Sequence, residues 1–225
     1  MDDGYSVRCR EYAEAIWELE EAGIPVLQAR IARWLGVSPA SVSEMVRRMA
    51  AEGLVEVSDQ VRLTDEGNHL AAVVVRRHRL AERFLSEVLK LPWAKVHEEA
   101  EIWETMISDD VEQAMWDVMD DPKTCPHGNP IPGAGYRPPR MKSIYEMEPG
   151  ENLALERISE ELELDLDMMH FLDENQIRPG NRILLKQRDP YGGITVEVED
   201  RQVGIGAFAS ERLFVAIEEN QNIIN

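Results

Sequence analysis

The chain has 225 residues, 44% of them hydrophobic and 30% charged, with a formal net charge of -19. That length suffices for two domains and a small third. It contains no apolar run of the roughly 18 residues that would suggest a membrane span, and the acidic N-terminus lacks the apolar centre of a secretory signal. Cys9 and Cys125 are the only cysteines, far apart and outside any CxxC, so they read as free thiols in a reducing cytoplasm.

The charge is uneven. Residues 1–80 carry 13 acids and 10 bases, whereas residues 81–225 carry 30 acids and 14 bases. Within 25–48, Arg30, Arg33, Arg47 and Arg48 face Glu44 alone. A locally basic segment on an acidic body is compatible with nucleic-acid binding despite the net charge. The excess of arginine over lysine fits either a high-GC genome or a salt-adapted host.

In chain order, residues 8–22 read as a helix with Tyr12, Ile16 and Leu19 on its apolar stripe, ended by Gly23. A second helix is expected over 25–35. After the turn at 36–38, Ser38 is a good N-cap and Pro39 suits the first helical position of a helix over 39–51, with Val42, Met45, Val46 and Met49 inward. The run LVEVSDQVRLT at 54–64 alternates as a two-stranded wing would. Together these make a winged helix-turn-helix. Its outward residues Ser38, Pro39, Ala40, Ser41, Ser43 and Glu44 would meet base edges, while Arg30, Arg47, Arg48 and the wing residue Arg62 suit phosphates. An ordinary helical hairpin without DNA would show much of the same pattern.

Long helices are expected over 65–90, 93–106 and 108–119. The stretch 121–140 is rich in Pro and Gly and reads as an ordered loop or linker at a domain boundary. Beyond it, strand-like runs at 183–187, 194–199 and 214–218 predict a small barrel of about five strands, preceded by a short helix near 159–175.

His97, Glu101 and Glu104 follow one another at spacings of four and three, which sets them on one helix face. His78 and Glu82 repeat the spacing of four upstream, and Glu11 and Glu14 lie on the first helix. One such pair is ordinarily a solvated surface. Three helices with carboxylates and imidazoles could instead converge on Mn(II), Fe(II), Co(II) or Zn(II), and without a cation the converging carboxylates would repel. Cys125 and His127 could hold a metal but read as structural in a Pro/Gly loop. Gly192 and Gly193 read as a turn, and the Met168, Met169 and His170 run as core edge. No arrangement for covalent catalysis stands out, so a non-enzymatic role is expected.

Several specific stretches carry a family resemblance: IWELEEAG at 16–23, RLAERFL at 79–85, LPWAKVHEEAEIWE at 91–104, MISDDVE at 106–112 and GNPIPG at 128–133. Through them the chain resembles, over nearly its whole length, the diphtheria-toxin-repressor family of metal-dependent regulators, iron-dependent regulators and manganese transport regulators included. The resemblance implies a mainly α protein with a small β portion: a winged helix-turn-helix reader over 1–75, a helical dimerisation and metal-binding domain over 76–140, and an SH3-like domain, related to the ferrous-transport accessory fold, over 141–225. It implies a cytoplasmic, homodimeric regulator of double-stranded operator DNA, more readily a repressor than an activator, and admits two dimers per operator and two metal sites per subunit.

The resemblance maps an ancillary site onto His78, Glu82 and His97, with Glu163, Asp165 and Asp167 as C-terminal candidates. It maps a primary site onto Glu11, Glu14, Glu101 and Glu104, with His78 added in the manganese branch. Iron-type members carry Met where Glu11 stands and Cys where Glu101 stands. Thr105 replaces a histidine usual in both branches; water, Glu14 or a C-terminal residue would take its place. Loss of the soft ligands favours Mn(II), with Fe(II) as the alternative. Two rivals are a metal-storing or hydrolytic protein using Glu98 or Glu99 as base, and a winged-helix sensor of a small organic ligand.

Overall fold

The computed structural model describes residues 4–190 and 192–217. Helix α1 (Val7–Glu21) starts at Ser6, whose hydroxyl accepts from the Cys9 amide. Helices α2 (Gln28–Trp34) and α3 (Pro39–Ala51) follow, then the wing strands β1 (Val55–Val57) and β2 (Val61–Leu63), paired antiparallel. The second helix is shorter than the expected 25–35. Its first residues are extended, because the Val26 carbonyl accepts from the Val61 amide and the Val26 amide donates to the Gln60 side chain. The start of α3 falls where the Ser38–Pro39 pair predicts it, with Ser38 Oγ accepting from the Ser41 amide at 3.2 Å. Tyr12, Ile16, Leu19, Val42, Val46, Met49 and Leu54 close the core of this unit.

Helix α4 (Asp65–Glu87) stops three residues before the expected 90, and Lys90 turns the chain at φ 61° ahead of Pro92. This one helix crosses the expected boundary at 75/76. Leu70 and Ala71 belong to the reader's core, while Leu80, Ala81 and Leu85 belong to the next, with Val96, Ala100, Ile107 and Met115. Residues 93–106 divide into a 3-10 turn (Trp93–Lys95) and α5 (Val96–Glu104); α6 (Asp109–Val118) follows its N-cap Ser108.

Loop 121–140 is ordered. Thr124 bridges Pro130, and the Cys125 amide bonds the Asn129 carbonyl. It is also tied to the third unit: the Ile158 amide donates to the His127 carbonyl, and Gly128 lies so close to that strand that a Cβ there would stand 2.0 Å from the Glu156 oxygen.

The third unit departs from the expected order. Strands β3 (Met141–Ser143) and β4 (Asn152–Ile158) precede the helices α7 (Glu160–Glu163) and α8 (Leu166–Glu174), and then come β5 (Arg182–Arg188), β6 (Ile194–Val198), β7 (Arg201–Ile205), a short α9 (Ala207–Ser210) and β8 (Leu213–Ala216). The six strands form one antiparallel sheet ordered β3-β8-β4-β5-β6-β7, bent by irregularities at Leu155/Arg157 and Leu185/Gln187. Strands β3, β4 and β7 carry weak sequence signals: β3 is three residues long and follows Pro138 and Pro139, while β4 and β7 follow the acidic turns at 148–151 and 199–200. The predicted run at 214–218 ends, at Glu218, outside the described residues. Trp93 and Ala94 sit in the core of this sheet, which docks the third unit on the second. Among the described residues no helix is long and apolar enough to cross a membrane.

Candidate metal centre

On the reader, Pro39, Ala40, Ser43, Glu44, Arg47 and Arg48 are exposed along one side of α3, with Ser38 at its start and Ser41 half-buried. Arg30 is exposed on α2. Arg48 bonds Glu52 at 2.8 Å. Arg62 is exposed but lies opposite Glu56 in the wing and close enough to Glu20 to act on its charge, so part of its field is already answered.

Behind the reader, α1, α4 and α5 present acids and imidazoles to a shared cleft of about 440 Å³. An outer group joins Glu14, His78 and Glu104, whose nearest ligand atoms all lie within 4.8 Å of one another. His78 Nδ1 donates to Glu104 Oε2 at 2.7 Å. Glu14 Oε1 is buried and has no hydrogen-bond partner. Burial, then Glu104 and Glu18, push the Glu14 carboxyl well above its ordinary range. Glu11 and Glu101 line the same cleft from its rim. Glu101 is 59% exposed and lies 3.9 Å from His97 Nε2. Thr105 also faces the cleft, but its hydroxyl is spent on the Ile102 carbonyl.

An inner group surrounds Glu82. Its Oε1 lies 3.1 Å from His127 Nδ1, 3.3 Å from His97 Nδ1 and 3.5 Å from His78 Nε2. Glu163 Oε2 stands 2.6 Å from His127 Nδ1 and 3.5 Å from His97 Nδ1. His78 faces both groups, since its Nε2 is also 3.1 Å from His97 Nδ1. Burial opposes protonation of these imidazoles, yet the surrounding carboxylates outweigh it. Glu163 and Glu82 bring His97 up to about 10 and hold His127 well above its ordinary value; Glu82 and Glu104 do the same for His78. Burial would raise the Glu82 carboxyl, but His127 and His78 hold it well below the usual carboxylate range. Burial and Glu82 push the Cys125 thiol, which accepts from the His127 amide, to about 12.

Both groups fit a divalent cation. Glu14 Oε1, Glu82 Oε2, His97 Nε2, His127 Nε2 and Glu160 Oε2 are buried without a partner, which is costly unless something else satisfies them. Oxygen and imidazole donors suit Mn(II), Fe(II) or Zn(II), and a positive charge removes the repulsion among the acids.

Of the residues the sequence pointed to, Glu14, His78, Glu82, His97 and Glu104 converge, and Glu11 and Glu101 stand at the rim. Asp165 and Asp167 do not reach the centre. Both are exposed, Asp165 capping α8 by accepting from the Met168 amide at 3.0 Å and Asp167 lying in that helix's first turn. Their place is taken by the buried Glu160 and Glu163 of α7, of which only Glu163 was a candidate. His127 belongs to the centre as well, although its loop reads as structural; the nearby Cys125 was the signal available. Glu98 and Glu99, the bases named for the hydrolytic rival, are exposed in the first turn of α5 and form no part of the cleft.

Comparison with known proteins bears on the same elements. Residues 6–61 match the family described as the N-terminal DNA binding domain of iron dependent repressors. Residues 64–133 match their metal binding and dimerisation domain, and residues 142–217 match the FeoA domain. The iron-dependent repressor IdeR of Mycobacterium tuberculosis is 36% identical over 200 residues, 83% of this chain and 86% of its own length. The diphtheria toxin repressor of Corynebacterium glutamicum is 40% identical over 183 residues, 76% of this chain and 80% of its own. A solved manganese-dependent transcriptional repressor in complex with manganese superposes with a TM-score of 0.84 at 31% identity, covering 92% of this chain and 99% of that one.

Proposed function

The chain belongs to the iron-dependent repressor family, and on that premise we propose that it is a homodimeric repressor of metal-uptake genes that grips its operator when charged with Mn(II). Metal-dependent DNA binding and a homodimer follow from the family; the relatives are repressors, not enzymes. The observation that carries the mechanism is Glu14: it stands on α1 of the reader, yet its ligand atom lies within 4.8 Å of those of His78 and Glu104 from the dimerisation domain.

Bound there, a divalent cation supplies the positive charge that offsets the repulsion between Glu14 and Glu104. The chain's own residues do the rest. Glu14 would be held against Glu104 and His78, which would fix α1 on α4 and α5. With Glu11 and Glu101 closing the rim, the reader's position relative to the dimer axis would be set, and with it the spacing of two α3 helices, about one helical turn of DNA or ~34 Å. Small residues on α3 approach base edges while Arg30, Arg47, Arg48 and Arg62 hold phosphates. Binding of metal and DNA is then reciprocally linked. His97, Glu82, His127 and Glu163 would form a second site that holds the third unit in place.

Mn(II) is preferred because Glu11 and Glu101 are hard oxygen donors. The iron-dependent relatives, matching over most of the chain, favour Fe(II) as the second reading. The test is a mobility-shift titration against DNA upstream of the host's metal-uptake genes, in chelator, with Mn(II), and anaerobically with Fe(II). A metal-dependent shift supports the reading, and the ion acting at the lower concentration names the signal. Equal binding in chelator refutes it. The same titration counts the dimers on each operator.

A further inference from the structure

Arg79 is outside both ligand groups, yet it is fully buried and ranks among the largest such side chains of the protein. A guanidinium has five N–H donors, and here all five are used. Nε donates to Glu160 Oε1 at 3.1 Å, and Nη2 donates to the same oxygen at 2.8 Å and to Glu21 Oε2 at 2.6 Å. Nη1 donates to Glu21 Oε1 at 3.1 Å and to the Pro130 carbonyl at 2.6 Å. The acceptors come from three different parts of the molecule. Glu21 is the last residue of α1 on the reader, Pro130 lies in the ordered loop, and Glu160 opens α7 of the third unit.

Glu160 faces two ways. Its Oε1 belongs to Arg79; its Oε2 is buried, unpartnered, and Glu160 groups with His97 and Glu163 of the inner centre. Arg79 therefore sits between the inner ligands and the end of the reader's first helix. A buried ion pair is weak evidence of a stabilising role, since well-packed apolar side chains often serve as well. What a planar fork adds is direction: two parallel bonds fix the carboxylate of Glu21 in angle as well as distance.

We infer that Arg79 is a positioning residue that couples the inner cluster to the reader through Glu160 and Glu21, a second linkage beside the one made by Glu14. This rests on the metal-dependent regulator reading above. Filling of the inner cluster would fix Glu160, and through the fork would fix the last turn of α1. An inner site remote from the DNA thereby sharpens the reader's orientation.

The deciding variant is Glu21→Gln, because Glu21 is 24% exposed and glutamine keeps its shape; Arg79→Lys offers three donors for five bonds and risks folding. Operator affinity of the full-length dimer would be measured in chelator and at saturating Mn(II), together with Mn(II) affinity without DNA and amide exchange along α1. In the wild type, Mn(II) is expected to raise operator affinity and to protect the last turn of α1. In Glu21→Gln the metal-dependent gain is expected to fall by about tenfold, with protection of that turn lost, while Mn(II) affinity without DNA changes by less than about threefold. An unchanged gain overturns the inference. So does an equal loss of DNA affinity in chelator and in Mn(II), which marks a merely damaged reader. A wild type without metal dependence defeats the functional reading instead, and the inference with it.

Discussion

Glu82 is the residue whose replacement is best worked from the structure. It is fully buried, and one of its oxygens faces His127, His97 and His78 at 3.1, 3.3 and 3.5 Å. Glu82→Gln keeps the volume, so no cavity forms; it removes the counter-charge. Removing one partner of a buried ion pair costs about 3–5 kcal/mol. A ceiling comes from His97, whose folded pKa of about 10 against an ordinary 6.5 corresponds to at most about 4 kcal/mol at neutral pH. Glu163 remains beside His127 and His97, so a loss of about 3 kcal/mol is expected near pH 6, a fall in Tm of about 6–12 °C for a chain of this size. The sign of the pH dependence follows from the raised imidazole pKa. Stabilisation by a protonated His97 is complete below pH about 6.5 and disappears as pH rises through about 10. Scanning calorimetry of the metal-free variant and wild type at several pH values would therefore show a gap that narrows as pH rises. A gap under about 1 kcal/mol near pH 6, or one that stays constant towards pH 9, refutes the charge assignment in the inner centre.

Three further outcomes are expected. Glu101→Ala, at an exposed rim position, should weaken metal-dependent operator binding by about tenfold and leave the Tm of the metal-free protein within about 2 °C of wild type; unchanged metal dependence in mobility shifts would remove Glu101 from the site. Arg47→Ala should weaken binding about equally to all DNA sequences and lower the slope of log affinity against log salt by about 1, read by anisotropy over a salt series, with a smaller effect for Arg48→Ala because Glu52 already holds that side chain. Gly128→Ala should destabilise by more than about 2 kcal/mol, since its φ is +89° and the new Cβ would meet the Glu156 oxygen at 2.0 Å; limited proteolysis should then release the third unit.

What the sequence discloses follows the reach of its local patterns. Ser38 and Pro39 mark the start of α3 because capping is a matter of adjacent residues. The pairs His78/Glu82 and His97/Glu101 are visible because helical spacing is four, and three helices bearing such groups raise the question of a shared ion. Glu160 and Glu163 are three apart, but in a single helical turn without an imidazole, and His127 lies on no helix. Of the four residues of α7, EELE, only Glu163 is a candidate in the sequence, through the resemblance; the docking of the third unit over Trp93 turns both Glu160 and Glu163 inward. His127 is aimed by a loop pinned through its backbone to β4, a relation between segments about 30 residues apart. Asp165 and Asp167 seem equivalent to Glu163 in the sequence, but Asp165 serves as the cap of α8 and both stay in solvent.

The same physics explains why an acidic protein is suited to respond to a cation. Glu18 and Glu160 are buried and Glu14 is half-buried where α1 meets α7; burial first, then neighbouring carboxylates (Glu104 and Glu18 for Glu14, Glu160 for Glu18, Glu163 for Glu160), raises all three, Glu18 to about 8 and Glu160 to about 7. A carboxyl with a raised folded pKa binds protons more tightly folded than unfolded, so above its unfolded pKa it makes the metal-free fold less stable. That loss falls where the reader's α1 meets α4 and α7, not in the cores of the separate units. The metal-free protein thus carries an electrostatic cost in the seam that sets reader orientation. A cation that offsets the repulsion there has the greatest effect on the geometry that DNA also selects, and stability, metal affinity and operator affinity must rise together.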